Sequence, residues 1–99
     1  MSDINKLIDI NDILSLIKSE KDNYSLLQTI RYRDEMYEYK FSLNGENISK
    51  DFITTLDKDT LKQQLKLIAT MEKMHSMEKI ETITKNFNLD DLEEKICRT

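Results

Sequence analysis

Two runs of alternating apolar and polar residues lie next to each other in the segment YSLLQTIRYRDEMYEYKFSL, from Tyr24 to Leu43. A period of two is typical of half-buried strands. If the chain reverses at Asp34-Glu35, both apolar sets share one face, whereas a slip of one residue turns one set to the wrong face. The predicted hairpin therefore has a defined register, which pairs Tyr32 with Tyr37, Ile30 with Tyr39, Leu26 with Leu43 and Arg31 with Glu38. Because Asp-Glu is a poor sequence for a tight primed turn, a loop one or two residues longer is an alternative.

Length and composition predict a single domain over residues 1–99. A chain of 99 residues can build one modest hydrophobic core and no second one. Hydrophobic residues make up 38% and charged residues 34%, which indicates a globular rather than a disordered chain. There is no proline, and the one glycine is Gly45, so long helices and short connections are expected.

The sequence shows no sign of export or of a membrane. No apolar run approaches the length of a membrane span, and no signal-peptide pattern opens the chain. Cys97 is the single cysteine, so neither a disulfide framework nor a metal-type cysteine cluster is expected. We therefore expect a cytoplasmic protein of a bacterial host.

Helical spacing of apolar residues predicts a helix over residues 3–20, in which Asp9 or Asn11 could cap a fresh start. Ile4, Leu7 and Ile8 then either continue that helix or form a short leading turn. After the hairpin, Asn44-Gly45 is the strongest turn dipeptide in the chain. Residues 46–48 would then form a short third strand.

Three further helices are predicted beyond that turn. Ser49 is a good N-cap for a helix over residues 50–56, and Asp59 or Thr60 for a longer helix that begins near Leu61. A last helix is predicted over residues 89–97. The side chains expected to face inward from these helices are Phe52, Ile53, Leu56, Leu61, Leu65, Ile68, Leu89, Leu92 and Ile96.

The apolar spacing changes after Ile68, because residues 71, 74, 77, 80 and 83 are all methionine or isoleucine. On a helix with 3.6 residues per turn, such a stripe winds around the surface. We therefore predict that the helix breaks near His75-Ser76, the alternative being a helix wrapped by more than one neighbour. The predicted fold is α+β: an N-terminal helix, a two- or three-stranded antiparallel hairpin sheet, then three to four C-terminal helices packed on one face.

No catalytic signature is present, and we predict that the protein is not an enzyme and needs no cofactor. His75 is the single histidine, and its nearest carboxylates, Glu72 and Glu78, do not make a metal site without a second histidine. The chain also lacks a glycine-rich phosphate loop and a serine elbow. No metal site is predicted.

Two clusters are candidates for contact with a partner. Met71, Met74 and Met77 form a possible apolar interface, although core filling explains them as well. An acidic cluster near the C-terminus suits either a solvated helix face or a partner contact, and consists of Asp90, Asp91, Glu93 and Glu94.

Two stretches resemble a known family. The run INDILSLIKSEKDNYSL at Ile10–Leu26 and, more loosely, EMYEYKFSLNGENISKDFITTL at Glu35–Leu56 are similar to the small acidic anti-CRISPR proteins of Listeria prophages. That family inhibits the RNA-guided DNA nuclease of type II CRISPR systems. The resemblance implies a leading helix, a small antiparallel sheet and then helices, with a helix carrying the Phe52-Ile53 pair.

The resemblance also implies a function, which is inhibition by acidic mimicry of DNA. The family's acidic surface occupies the groove where the nuclease reads the protospacer-adjacent motif, and an arginine-rich channel is open to competition from carboxylates. At matching positions the partner-binding candidates are Asp34, Glu35, Glu38, Glu46 and Asp51. Basic residues dilute the acidity of the same region, namely Arg31, Arg33, Lys40 and Lys50.

The expected partner is therefore a basic nucleic-acid-binding protein, such as a CRISPR nuclease. The chain carries 19 acidic and 15 basic residues, a net charge of −4, and shows no basic patch, so direct binding of nucleic acid is not expected. The alternative is a helical protein–protein interaction or regulatory module, for which a homodimer through the Leu61–Ile83 region is one form.

Overall fold

A computed structural model of the protein describes residues 3–19, 24–75 and 80–85. Within these residues there are two helices and five strands, of which the first strand is only two residues long. In chain order they are β1 (Asp3–Ile4), α1 (Ile10–Ser19), β2 (Tyr24–Arg33), β3 (Met36–Gly45), β4 (Ser49–Leu56), α2 (Lys58–His75) and β5 (Glu81–Lys85). Neither helix is long and apolar enough to cross a membrane.

The strands form one mixed sheet in the order β1-β4-β3-β2-β5. β2, β3 and β4 are antiparallel neighbours, whereas β1 runs parallel to β4, and β5 runs parallel to β2. α2 connects β4 to β5, between which β3 and β2 lie. Parallel strands need such a crossover, and the helix provides it.

The hairpin predicted from the alternation is confirmed. The register pairs Tyr32 with Tyr37, Ile30 with Tyr39, Leu26 with Leu43 and Arg31 with Glu38. The connection is the tight two-residue turn, since Arg33 pairs with Met36 across Asp34-Glu35. The alternative prediction of a longer loop is therefore wrong, and the strand register sets the length of this turn.

The α+β class is confirmed, but the predicted arrangement of three to four C-terminal helices on a two- or three-stranded sheet is wrong. In the part of the chain that the structure describes, α2 is the one helix that follows the hairpin. The segment expected to be a helix over 50–56 is the strand β4, and the last part of the predicted helical stripe, at Ile83, belongs to the strand β5. The predicted helix over 89–97 lies outside the described residues.

β4 shows why the helical interpretation fails. Phe52, Thr54 and Leu56 point to the covered side of the sheet, and Ile53 points to the other side, so burial alternates with a period of two. Ile53, Thr54 and Thr55 are β-branched, which favours a strand. Ser49 caps no helix; its hydroxyl donates to Asn44 Oδ1 at 2.9 Å. Residues 46–48 form the loop between β3 and β4 rather than a third strand.

α1 starts at Ile10, which confirms the fresh start with Asp9 as its cap, and residues 3–9 do not belong to the helix. The Asp9 carboxylate accepts a hydrogen bond from the backbone N–H of Asn11 at 2.9 Å. Before the cap the chain is tied to the sheet and not helical: the Thr54 hydroxyl donates to the carbonyl of Lys6 at 2.8 Å. The Asn5 side chain accepts from the backbone N–H of Asp57 at 2.9 Å.

α2 is capped by Asp57, so the predicted caps Asp59 and Thr60 are wrong. The carboxylate of Asp57 accepts a hydrogen bond from the backbone N–H of Thr60 at 2.8 Å, which is the standard N-cap contact. The described part of α2 runs to His75 and the chain is a strand from Glu81, so the helix does not continue to Ile83 and the predicted break is confirmed.

Both helices pack on one side of the sheet, which we call the inner face. The strands contribute Leu26, Ile30, Tyr39, Phe41, Leu43 and Leu56 to this core, and the helices contribute Ile13, Leu61, Leu65, Ile68 and Met71. Gln64 is also fully buried, where its Oε1 accepts from the backbone N–H of Ile8 at 2.6 Å, while its Nε2 has no partner. The opposite, outer face is left open by the described elements.

Candidate protein-binding surface

The tip of the β2–β3 hairpin is the most unusual part of the backbone. Asp34 and Glu35 both have positive φ angles, 53° and 65°. A two-residue turn with both central residues at positive φ is a type I′ turn, for which Asn-Gly and Asp-Gly are the favoured sequences. Glutamate is costly in this region because its Cβ approaches the following carbonyl oxygen. Aspartate tolerates the first position of such a turn, so the register of the strands holds Glu35, but not Asp34, in a conformation that the residue does not prefer.

The charges near the tip are arranged around Arg33. Its guanidinium lies 3.8 Å from the Asp34 carboxylate and 3.7 Å from that of Glu38. The Asp34 side chain is 92% exposed, so this contact is screened by water and contributes little to stability. Glu38 also lies opposite Arg31 on the neighbouring strand. Both Asp34 and Glu38 therefore have a basic neighbour, but the Asp34 side chain is far more exposed than that of Glu38, so the accessible acidic groups at the tip are Asp34 and Glu35.

The remaining acidic candidates lie elsewhere. Glu46 is in the β3–β4 loop, at the other end of the ten-residue strand β3 and about 30 Å from the tip. Asp51 is exposed on β4, where it pairs with Ser42 near the same end as Glu46. Asp90, Asp91, Glu93 and Glu94 lie outside the described residues. The structure thus brings Asp34, Glu35 and Glu38 together and separates them from Glu46 and Asp51.

The structure does not show the three candidate methionines as one exposed stripe. Met71 is fully buried among the core residues of α2. Met74 lies in the last turn of the helix, and Met77 lies outside the described residues. Met71 therefore fills the core, which was the alternative interpretation of this residue.

The outer face of the sheet is a surface that the sequence interpretation missed. Cross-strand neighbours form rows: one row contains Ile53, Lys40, Thr29 and Ile83, and the next contains Thr55, Glu38, Arg31 and Lys85. Ile53 is 43% exposed and Ile83 is 38% exposed. Both isoleucines had been assigned to helices. The signal that could have placed them is the short β-branched run around each one, because alternating threonine and isoleucine is typical of strands.

A polar network crosses the inner face beneath this surface. The buried Tyr39 hydroxyl donates to Gln28 Oε1 at 2.6 Å, and Gln28 Nε2 donates to Thr82 Oγ1 at 2.6 Å. Burial raises the pKa of Tyr39 far above its usual value, so the phenol stays neutral. The network joins β3, β2 and β5 by satisfied hydrogen bonds, which is a structural role.

The described residues offer little for chemistry or metal binding. They contain no group of three His, Cys, Asp or Glu side chains that could hold a metal ion. A shallow groove runs between α1 and β4, lined by Asp12, Ser15, Leu16, Lys50 and Phe52. It lacks a nucleophile paired with a base, so it has no catalytic arrangement of the hydrolase type.

No family model, curated protein or solved structure matches the chain. The anti-CRISPR resemblance therefore remains a hypothesis carried by its own residues.

Proposed function

We propose that this protein is a non-enzymatic inhibitor that binds a basic nucleic-acid-handling protein through the β2–β3 tip, and that RNA-guided DNA nucleases are the class of target. The observation that carries the proposal is the left-handed backbone of Asp34 and Glu35. Such a conformation costs a non-glycine residue roughly 1–2 kcal/mol, and strained positions cluster at functional sites. Folding alone would favour Asn-Gly or Asp-Gly at this turn, so Asp34 suits its position, whereas the carboxylate of Glu35 needs another reason to be there.

The tip is suited to presenting charge rigidly. It is held by ten consecutive residue pairs between β2 and β3. Just behind it the rings of Tyr32 and Tyr37 pack with their centroids 4.9 Å apart. A preorganised contact loses less conformational entropy on binding than a mobile loop does. The hairpin can therefore place two adjacent carboxylates into a cleft of a partner.

A basic cleft is the complementary surface. Proteins that grip DNA do so with arginine and lysine side chains aimed at phosphates. Carboxylates of Asp34 and Glu35 offer the same guanidinium groups charge-assisted hydrogen bonds. Because Glu38 has basic neighbours, we propose local insertion of the tip rather than an extended acidic surface.

The family resemblance supports the choice of target. It spans residues 10–56, which include the leading helix and the hairpin. The structure departs from the layout that the resemblance implies, since the segment with Phe52 and Ile53 is the strand β4 and not a helix, and the sheet is mixed rather than antiparallel. The expected target remains a nuclease of type II CRISPR systems.

Competition for DNA tests the proposal. A panel of guide-loaded type II nucleases is bound to a fluorescent duplex that carries the protospacer-adjacent motif, and the protein is titrated in while anisotropy is measured. We expect displacement of the duplex from a susceptible nuclease, with an effect that weakens as salt rises. The double variant Asp34→Asn/Glu35→Gly should need at least about tenfold more protein, which corresponds to roughly 1.4 kcal/mol.

The matched control is Asp51→Asn/Glu72→Gln, which removes the same charge away from the tip, since Asp51 lies near the β3–β4 loop and Glu72 lies in the C-terminal part of α2. It should compete like the unaltered protein. Equal potency of the tip variant and the unaltered protein would refute the role of the tip. Absence of displacement across the panel would refute the choice of target, and direct binding of the duplex by the protein alone would favour a DNA-binding function instead.

A further inference from the structure

β5 is an edge strand with an unusual sequence. It lies at the end of the sheet and pairs with β2 on one side; no described residue pairs with its other side. An unpaired strand edge is a template for another strand. Its five residues, Glu81-Thr82-Ile83-Thr84-Lys85, read the same from both ends except that the charge is inverted.

This pattern is self-complementary under two-fold symmetry. If two copies of β5 pair antiparallel about Ile83, Glu81 of each copy lies opposite Lys85 of the other, and Thr82 lies opposite Thr84. Ile83 then lies opposite the second copy's Ile83. Opposite charges and β-branched residues are favourable cross-strand pairs, and a two-fold interface requires this kind of self-complementarity.

The neighbouring strand adds an independent reason. Lys85 pairs with Arg31 of β2, so two positive charges lie side by side on the outer face. Like charges in this position are destabilising. Glu81 of a second copy would lie on the free side of Lys85. Arg31 and Lys85 would then lie between two acidic residues, Glu38 on one side and Glu81 of the second copy on the other.

The centre of the pairing is apolar. Ile83 is 38% exposed on the outer face, whereas Glu81 and Lys85 are exposed at either end of the strand. Contact between the two isoleucines would remove apolar surface from water. Charged groups at the ends and an apolar group at the centre resemble the usual arrangement of an interface rim and core.

We infer that the protein forms a homodimer through antiparallel pairing of two β5 strands, which makes one continuous sheet across both copies. A five-residue edge is smaller than a permanent interface, so the dimer is reversible, with a dissociation constant in the range of about 10–100 µM. The assembly is independent of the inhibitor function, because the tip lies in the β2–β3 turn and not on β5.

Sedimentation equilibrium over a wide concentration range, with a thiol reductant to exclude a Cys97 disulfide, measures the dissociation constant. We expect Glu81→Lys and Lys85→Glu each to raise it at least tenfold, because each places like charges at both ends of the paired strands. The control is Lys66→Glu, at an exposed position of α2. It changes the net charge as Lys85→Glu does and should leave the dissociation constant within about twofold of that of the unaltered protein.

Combining the variants makes the test specific to this pairing. Glu81→Lys mixed with Lys85→Glu should form a heterodimer, since one strand then carries two positive charges and the other two negative charges. The double variant Glu81→Lys/Lys85→Glu is self-complementary again and should dimerise like the unaltered protein. A protein that stays monomeric up to about 500 µM, a dimer indifferent to both single variants, or a mixture without heterodimer would each overturn the inference.

Discussion

The two turns that border β3 contrast in sequence and in structure. Asn44-Gly45 is the dipeptide best suited to a tight turn, yet both residues belong to the strand, and Gly45 does not adopt a positive φ angle. The loop follows at residues 46–48, closed by a hydrogen bond from Gly45 N to Ile48 O at 2.7 Å. Asp34-Glu35 is poorly suited to a tight turn and forms one. Turn sequence therefore does not decide where this chain reverses.

The inner face explains the difference. Tyr39, Phe41 and Leu43 alternate along β3 and are fully buried. Moving either reversal by one residue would turn this set toward the outer face. Burying three large side chains outweighs the turn preferences, since each contributes about 1.5–3 kcal/mol and a turn residue about 1–2 kcal/mol. The following changes test that order of importance.

Phe41→Ala should have the largest effect on stability, because it removes the central one of the three buried side chains of β3. We expect the free energy of unfolding to fall by about 3–5 kcal/mol, measured by urea denaturation followed by circular dichroism. The exposed neighbour Lys40→Ala should change it by less than about 0.5 kcal/mol. A cost below about 1 kcal/mol for Phe41→Ala would mean that packing does not set the register.

Glu35→Gly should stabilise the protein by about 1 kcal/mol, because glycine adopts a positive φ angle without strain. The same denaturation experiment measures the gain. Glu46→Gly makes the same chemical change in the other connection, where φ is not positive, and should give no gain. Destabilisation by Glu35→Gly would show that the tip is not strained, which would also remove the main support for its proposed role in binding.

Gly45→Ala should be tolerated and stabilise the protein by up to about 0.5 kcal/mol, since alanine fits a strand conformation and restricts the unfolded chain. If Asn44-Gly45 instead formed a primed turn, the same substitution would cost more than about 1 kcal/mol. Thermal denaturation distinguishes the two outcomes. Together, Gly45→Ala and Glu35→Gly test whether the effect of a substitution follows the conformation that the residue adopts or the turn preference of its dipeptide.

Asp57→Asn should change the free energy of unfolding only at acidic pH. Asp57 caps α2, a position at which aspartate is also favoured by local sequence preference. The hydrogen bond from the Thr60 backbone N–H lowers the pKa of Asp57. A lowered pKa contributes stability that is present above the unfolded value of about 3.9 and is lost as the pH falls through the folded value. Asparagine also caps helices well, so stability at pH 7 should be unchanged and the loss below about pH 4 shallower. Identical acid profiles would contradict this.

The hairpin was predictable because its burial pattern has one consistent register. β4 and β5 were not, because Phe52, Ile53 and Leu56 fit a helical stripe as well as a strand, and the period of three from Met71 onward continues into β5. The choice there depends on pairing partners far away in the sequence. β5 is a strand because β2 offers it an edge and because Gln28 reaches Thr82.

The candidate site was predictable in part. Asp34 and Glu35 were recognised as acidic residues at a reversal, but their left-handed backbone follows from the register and not from their identity. The outer face could not be foreseen, because Ile53 and Ile83 become neighbours of Lys40 and Thr29 only once β4 and β5 are placed.

The parallel pairing of β5 with β2 also sets the order in which the chain can fold during synthesis. Gln28 and Thr82, which the pairing joins, are 54 residues apart. At roughly 5–20 residues per second, about 3–11 s separate the emergence of these two residues from the ribosome. Once β3 has emerged, β2 has β3 on one side and an open edge on the other until β5 follows. The growing chain is most prone to pair with a wrong strand in those seconds, and slower synthesis of α2 would lengthen them.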